Sequence, residues 1–308
     1  MKILVFGAGV LGCNLARDLF RAGKDVTLLA RGAWGEEIRR NGLRIKDKFS
    51  PRMSVSRIPV VTEFRPEDRY DVIFVVTRYT QLDSVREVLR MNPTENLVFV
   101  GNDVRADALA ASLPGKNVLF AFASAAGHRE RDHVASIDLK KITIGQLAGA
   151  PSNEALIGQI FEGTKYKVAY EPNMGDYLLC HAAFVLPAAF ACYHTDGDLK
   201  KLKGNTAYLS RMLDANIEGY RAIRNAGHAI LPKEDTDFEG AAYRKTCLRF
   251  FRLICATSLG KICVSDHAMN AVDEMSALNR DLKRFFNENG ASYPTWQSLE
   301  KDAGKYLR

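Results

Sequence analysis

The stretch FGAGVLG, residues 6 to 12, puts glycines at positions 7, 9 and 12 directly behind the apolar run Ile3, Leu4 and Val5. A turn of this kind suits the pyrophosphate of a dinucleotide. The first glycine permits the tight bend, the second lets phosphate oxygens reach the backbone, and the third lets the following helix lie close on the strand. Ala8, Val10 and Leu11 complete the turn and open the helix, whose positive end faces the phosphates. The competing reading is a structural turn with no ligand, but a strand before it and a helix behind it favour the dinucleotide.

Further along stand three polar residues at positions where open α/β sheets bind ligands. About 20 residues after the glycines, an acidic side chain would hold the ribose hydroxyls of NAD(H), whereas an arginine suits the 2′-phosphate of NADP(H). This chain has Ala30 then Arg31, and Glu36 and Glu37 come too late, so NADP(H) is the expected cofactor. Arg78 follows the apolar FVVT and could meet phosphate oxygens. Asn102 follows LVFVG and could meet the nicotinamide ribose or a substrate group. The plain alternatives are a solvated loop arginine at 31, a helix start at 78 and a helix cap at 102.

These groups need a parallel sheet to bring them to one edge, and the first half of the chain is patterned for one. KILVFG, DVTLLA, YDVIFVVT and NLVFVG are short, continuously apolar strands, as burial on both faces requires. Leu11, Leu15 and Leu19 make a helical stripe after the glycines, stopped by Gly23, and QLDSVREVL is a second helix. GLRIKDKF and MSVSRIPVV read as an extended insertion. NVLFAFAS, KITIGQ and KVAYEP extend the sheet, and SAAGHRERDHV between the first two of these reads as a solvated loop; the competing reading, a substrate carboxylate met by Ser124, His128 and Arg129 after a strand end, is the weaker, and His128 and Arg129 are not taken as site residues.

Beyond Pro172 the texture turns helical. MGDYLLCHAAFVLPAAFACY is a long apolar helix buried on most sides. It is followed by a helix with Leu209, Leu213, Ile217 and Tyr220 on one face and Gly227 at its end, then helices over 234–259 and 266–289. The expected architecture is therefore an N-terminal Rossmann-type domain, residues 1–170, with a doubly wound, mostly parallel sheet, and an all-helical domain for substrate and dimerisation, residues 171–308.

Composition narrows the class. A 47% hydrophobic chain of 308 residues suits two globular cores, and no apolar stretch is expected to span a membrane. The absence of a secretory pattern points to the cytoplasm. The six cysteines, at 13, 180, 192, 247, 255 and 263, show no CxxC pair and read as small buried hydrophobes, so no metal is expected. A net charge of +7 suits an anionic ligand, but basic and acidic residues are interspersed, as in RDHVASIDLKK, without the clustered footprint of a nucleic-acid partner.

The glycine turn, Arg31, VVTRYTQ, GNDVRADAL, ITIG and the helical second half together resemble the ketopantoate reductase (2-dehydropantoate 2-reductase) family. LPAAFACYHTDGDL and EMSALNRDLKRFFNENGASYP resemble its two C-terminal motifs, so the resemblance runs the length of the chain. It implies NADPH-dependent reduction of a 2-keto acid, possible homodimers, and roles for Asn102 and for Glu274, which stands 20 positions before Pro294 and matches the substrate-binding glutamate. Asn279 matches a substrate-binding asparagine. Arg78 stands where the family usually carries a lysine.

One departure bears on activity. The family places a catalytic lysine nine residues before the proline equivalent to Pro187, and asparagines five and one before it; here these are Leu178, Ala182 and Leu186, one apolar helical face. A missing oxyanion donor costs about 3–4 kcal/mol, or two to three powers of ten in rate. Ketopantoate is thus a doubtful substrate. His181, three residues beyond Leu178, is the candidate replacement, as an imidazolium able to donate a proton. The alternative function is a chain that keeps NADP(H), has lost catalysis and serves as a redox-responsive binding partner.

Overall fold

The computed structural model describes residues 1–48, 50–257 and 260–307. The chain divides into two compact units, Met1–Gly101 with Arg105–Gly175, and Asn102–Val104 with Asp176–Arg308.

The first unit carries ten strands: β1 (Lys2–Phe6), β2 (Asp25–Leu29), β3 (Leu43–Asp47), β4 (Ser54–Ser56), β5 (Val60–Val61), β6 (Val72–Val75), β7 (Asn96–Val100), β8 (Asn117–Arg129), β9 (Val134–Gly145) and β10 (Lys167–Tyr170). They form one sheet in the order β4-β3-β9-β8-β7-β6-β1-β2-β5, with β10 beside β9. Its centre is parallel, and Ile3 to Phe6, Val72 to Val75 and Leu97 to Val100 are all buried, which explains their unbroken apolar runs. Among the described residues, only the β8–β9 and β3–β4 pairs are antiparallel.

Helices α1 (Val10–Arg21), α2 (Gly32–Asn41), α3 (Leu82–Met91), α4 (Ala106–Ala111) and α5 (Glu154–Phe161) connect the strands. The sheet curls around α1, which packs on β1 and β2 and also on β3, β8 and β9. Instead of one buried stripe, α1 therefore buries every residue from Gly12 to Leu19. Its polar residues find partners on β9: Ser136 Oγ donates to Asn14 Oδ1, and Arg17 and Lys140 bind the carboxylates of Asp18 and Asp138. Buried charges persist only when paired in this way.

One expectation needs correction here, and two features are added to it. SAAGHRERDHV is not a loop: β8 runs on to Arg129, turns over Glu130–His133, and pairs back from Val134, so a register shift at Ala123/Ala125 and polar tip residues had hidden the strand. Helix α2 has no clear sequence signal, because two of its ten residues are glycine and only Trp34 and Ile38 face inward as large apolar groups. Beyond the end of β10, Glu171 N donates to Ile144 O and Met174 N to Gln146 O, and the first unit runs on to Gly175.

The second unit is helical: α6 (Met174–His194), whose first two residues belong to the first unit, α7 (Thr206–Asn225), α8 (Ala241–Ala256), α9 (Asp266–Asn270), α10 (Val272–Glu288) and α11 (Pro294–Asp302). Contrary to expectation, α6 is long and apolar enough to cross a membrane; 78% of its most apolar window is buried, as in the core helix of a globular unit. Pro187 cannot donate to the Ala183 carbonyl, and Asn216 Nδ2 points at that oxygen at 3.5 Å while Asn216 Oδ1 accepts from Tyr243 at 2.7 Å.

Along α7, Leu209, Leu213 and Tyr220 are buried, and Ile217 is half-buried. The expected helix over 234–259 starts only at Ala241, after a 3₁₀ turn at Lys233–Asp235, and its residues 258 and 259 lie outside the described ones. The expected helix over 266–289 is broken at Ala271. Helix α11, unforeseen from sequence, is capped by Glu218, whose carboxylate accepts from Thr295 N and Trp296 N. Cys13, Cys180, Cys192, Cys247 and Cys255 are buried free thiols, and burial pushes Cys13, Cys180 and Cys192 up to about 12; the Cys263 side chain lies outside the described residues.

Candidate functional site

The glycine turn joins β1 to α1, and each glycine has a distinct reason to lack a side chain. Gly7 has φ +123, and a Cβ there would lie 2.2 Å from the Val76 carbonyl oxygen. At Gly12 a Cβ would meet the Gly7 oxygen at 1.9 Å, so helix and strand can approach only through glycine. Gly9 is different: its φ of −77 is ordinary, and a Cβ would meet nothing within 4 Å. Two glycines are required by the fold and the third leaves open space beside the first turn of α1. A pyrophosphate seat needs that pattern.

Two orphaned polar atoms lie at strand ends. Thr77, two residues after β6 and beside the Val76 that closes over Gly7, has a buried Oγ1 without a hydrogen-bond partner among the described residues. Asn102, two residues after β7, has a buried Oδ1 in the same condition. Buried polar atoms are seldom left unpaired in a folded protein, and such atoms at the carboxyl ends of strands fit a bound polar ligand. Thr77 was missed from sequence. The signal available was its position at the end of a strand, which the flanking Arg78 drew away.

Arg31 is exposed and caps the start of α2, and Arg78 is exposed and starts a 3₁₀ turn with its N–H donating to Gln81 Oε1 at 3.3 Å. Neither nearby glutamate competes for a ribose: Glu36 is bound to Arg39, and Glu37 to Asn41 and Arg44. Trp34, in the first turn of α2, donates its Nε1–H to the Ala8 oxygen at 3.0 Å and so fixes α2 against the turn.

In the helical unit, Leu178, Ala182 and Leu186 are 1%, 0% and 0% exposed, a packed apolar face. His181 is half-buried and stacks on Tyr177. Burial, aided by His267, lowers its pKa to about 4, so the ring is neutral near pH 7 and lacks the imidazolium charge expected of it. Glu274 is buried in the first turn of α10. Asn279 is buried, and its Oδ1 accepts from Trp296 at 2.9 Å while Nδ2 donates to Glu300 at 2.7 Å.

Residues 3–149 match the model of the ketopantoate reductase family PanE/ApbA. That span covers the glycine turn, Thr77, Asn102 and all strands but β10. No curated protein matches the sequence. Among solved structures, the fold resembles 2-dehydropantoate 2-reductase from Geobacter metallireducens at a TM-score of 0.80 and 16% identity, covering 98% of this chain and 99% of that one. A ternary structure of D-mandelate dehydrogenase with NADH and anilino(oxo)acetate gives 0.79 and 15%, covering 100% and 98%. The dimeric ketopantoate reductase from Staphylococcus aureus gives 0.71 and 14%, covering 100% and 99%. The ketopantoate reductase fold thus extends over the whole chain, while the match in sequence is confined to the N-terminal part.

Proposed function

We propose that the whole chain is a member of the ketopantoate reductase family and an NADP(H)-dependent reductase of 2-keto acids. The observation that carries the reading is the glycine turn, where Gly7 and Gly12 are sterically required and Gly9 faces open space. The pyrophosphate rests on the turn from Gly7 to Gly12, including Ala8, Val10 and Leu11. Arg31 takes the 2′-phosphate, Arg78 meets phosphate oxygens, and Thr77 and Asn102 take the polar groups nearer the nicotinamide. When bound, the cofactor supplies hydride to the carbonyl carbon.

Glu274 binds the substrate. His181, neutral at working pH, is a hydrogen-bond donor to the carbonyl oxygen and not a substitute ammonium. Since the lysine and both asparagines of the family are replaced by Leu178, Ala182 and Leu186, the substrate is a 2-keto acid more apolar than ketopantoate. The reading carries with it a homodimer and a cytoplasmic location.

That same apolar face supports a second reading, an NADP(H)-binding protein without turnover. NADPH oxidation with ketopantoate and with branched and aromatic 2-keto acids, run beside calorimetric titrations of NADPH and NADH, separates the two. Turnover on an apolar acid supports the reductase. Tight NADPH binding with no turnover on any acid leaves the binding protein, and preference for NADH would overturn the role of Arg31.

A further inference from the structure

We propose that Arg129 is a second arginine, beside Arg31, that binds the cofactor's 2′-phosphate, and that Trp34 is the surface that holds it in place. The inference rests on the NADP(H) reading above and extends it to a residue from the far end of β8. It begins with Trp34, three residues after Arg31 and only 8% exposed. Its indole N–H is tied to the Ala8 oxygen of the glycine turn. The ring therefore forms a fixed wall between the turn and the start of α2.

The guanidinium carbon of Arg129 lies 5.4 Å from the centre of that ring, within cation–π range. Arg129 stands at the end of β8, and β9, its partner strand, pairs with β3, so a residue distant in sequence is brought to Trp34.

The local charges leave both arginines available for an anion. Glu130 is bound to His128, Asp132 to Arg44 and His133, Glu36 to Arg39, and Glu37 to Asn41 and Arg44. Among the described residues, no carboxylate forms an ion pair with Arg31 or Arg129. Both are exposed. A guanidinium held on the Trp34 ring, three residues along the chain from Arg31, suits a phosphate dianion, whose oxygens accept forked hydrogen bonds, whereas a ribose hydroxyl would not use its charge.

The test is a set of calorimetric titrations of wild type, R31Q, R129Q and R129K with NADPH and NADH, with thermal melts to establish that each variant is folded. R129Q is expected to weaken NADPH binding about 10- to 100-fold, the loss of a charge-assisted contact, while leaving NADH binding unchanged. R129K, which keeps the charge but loses the planar fork, falls between wild type and R129Q. Equal weakening of both nucleotides in R129Q, or no weakening of NADPH, overturns the inference. If wild type itself binds NADH as tightly as NADPH, the NADP(H) reading has failed and takes the inference with it. If wild type prefers NADPH, R31Q abolishes the preference and R129Q keeps it, Arg129 alone has been misassigned.

Discussion

Replacing Gly9 and Gly12 by alanine, one at a time, separates what the fold needs from what the ligand needs. At Gly12 the new methyl would sit 1.9 Å from the Gly7 oxygen, roughly 1.5 Å inside the ~3.5 Å at which heavy atoms touch, and the obstacle is backbone. Helix α1 must retreat from β1, and overpacking of this kind costs about 1–3 kcal/mol or more. The melting temperature should fall by about 2–4 °C for each kcal/mol in a unit of this size.

At Gly9 the backbone is in an ordinary extended conformation and no atom lies near the new methyl. The weaker helix capping by alanine and the reduced freedom of the unfolded chain oppose each other, so stability should change by less than about 1 kcal/mol. The methyl does occupy the space assigned to the pyrophosphate. Losing one or more backbone contacts to a charged group should weaken NADPH and NADH alike by about 10- to 100-fold. Thermal melts and calorimetric titrations of both variants measure the two effects separately. A folded G9A protein that binds either nucleotide as tightly as wild type would falsify the turn as a pyrophosphate seat.

Three further outcomes follow from buried groups. His181 has a pKa lowered to about 4 against an ordinary value near 6.5, so the unfolded chain takes up its proton first and stability should fall as pH drops from about 6.5 toward 4. H181Q should lose less stability than wild type over that interval in urea titrations, and an equal loss would mean the ring is not buried as a neutral group. D138N leaves Arg17 and Lys140 sharing Asp18, and breaking a buried ion network should cost about 3–5 kcal/mol in urea unfolding; a cost under about 1 kcal/mol would mean the network is solvated. N279A should cost about 1–3 kcal/mol in urea unfolding by leaving the Trp296 N–H unpaired, with nucleotide affinity unchanged; a variant of wild-type stability would mean that this bond contributes nothing to the fold.

What could be read along the chain was whatever is encoded by neighbours in sequence. Continuous apolar runs marked β1, β2, β6 and β7 because both faces of those strands are covered, and the spacing of Gly7, Gly9 and Gly12 marked the turn because each constraint acts within one strand–turn–helix unit. The apolar face of Leu178, Ala182 and Leu186 was legible for the same reason, as helical geometry puts those residues together whatever surrounds them.

Other features depended on partners far away in the chain. The tip of the β8–β9 hairpin looks like a polar loop until antiparallel pairing satisfies its backbone. The bonds that Asn279 makes to Trp296 and Glu300, and the burial that lowers the His181 pKa, likewise come from groups elsewhere in the chain. Thr77 Oγ1 and Asn102 Oδ1 became visible as candidate contacts only when folding left them without partners. Arg129 came to lie over Trp34 only through the tertiary fold, since 95 residues separate them in the chain and long-range packing, which no local run of residues encodes, brings them together.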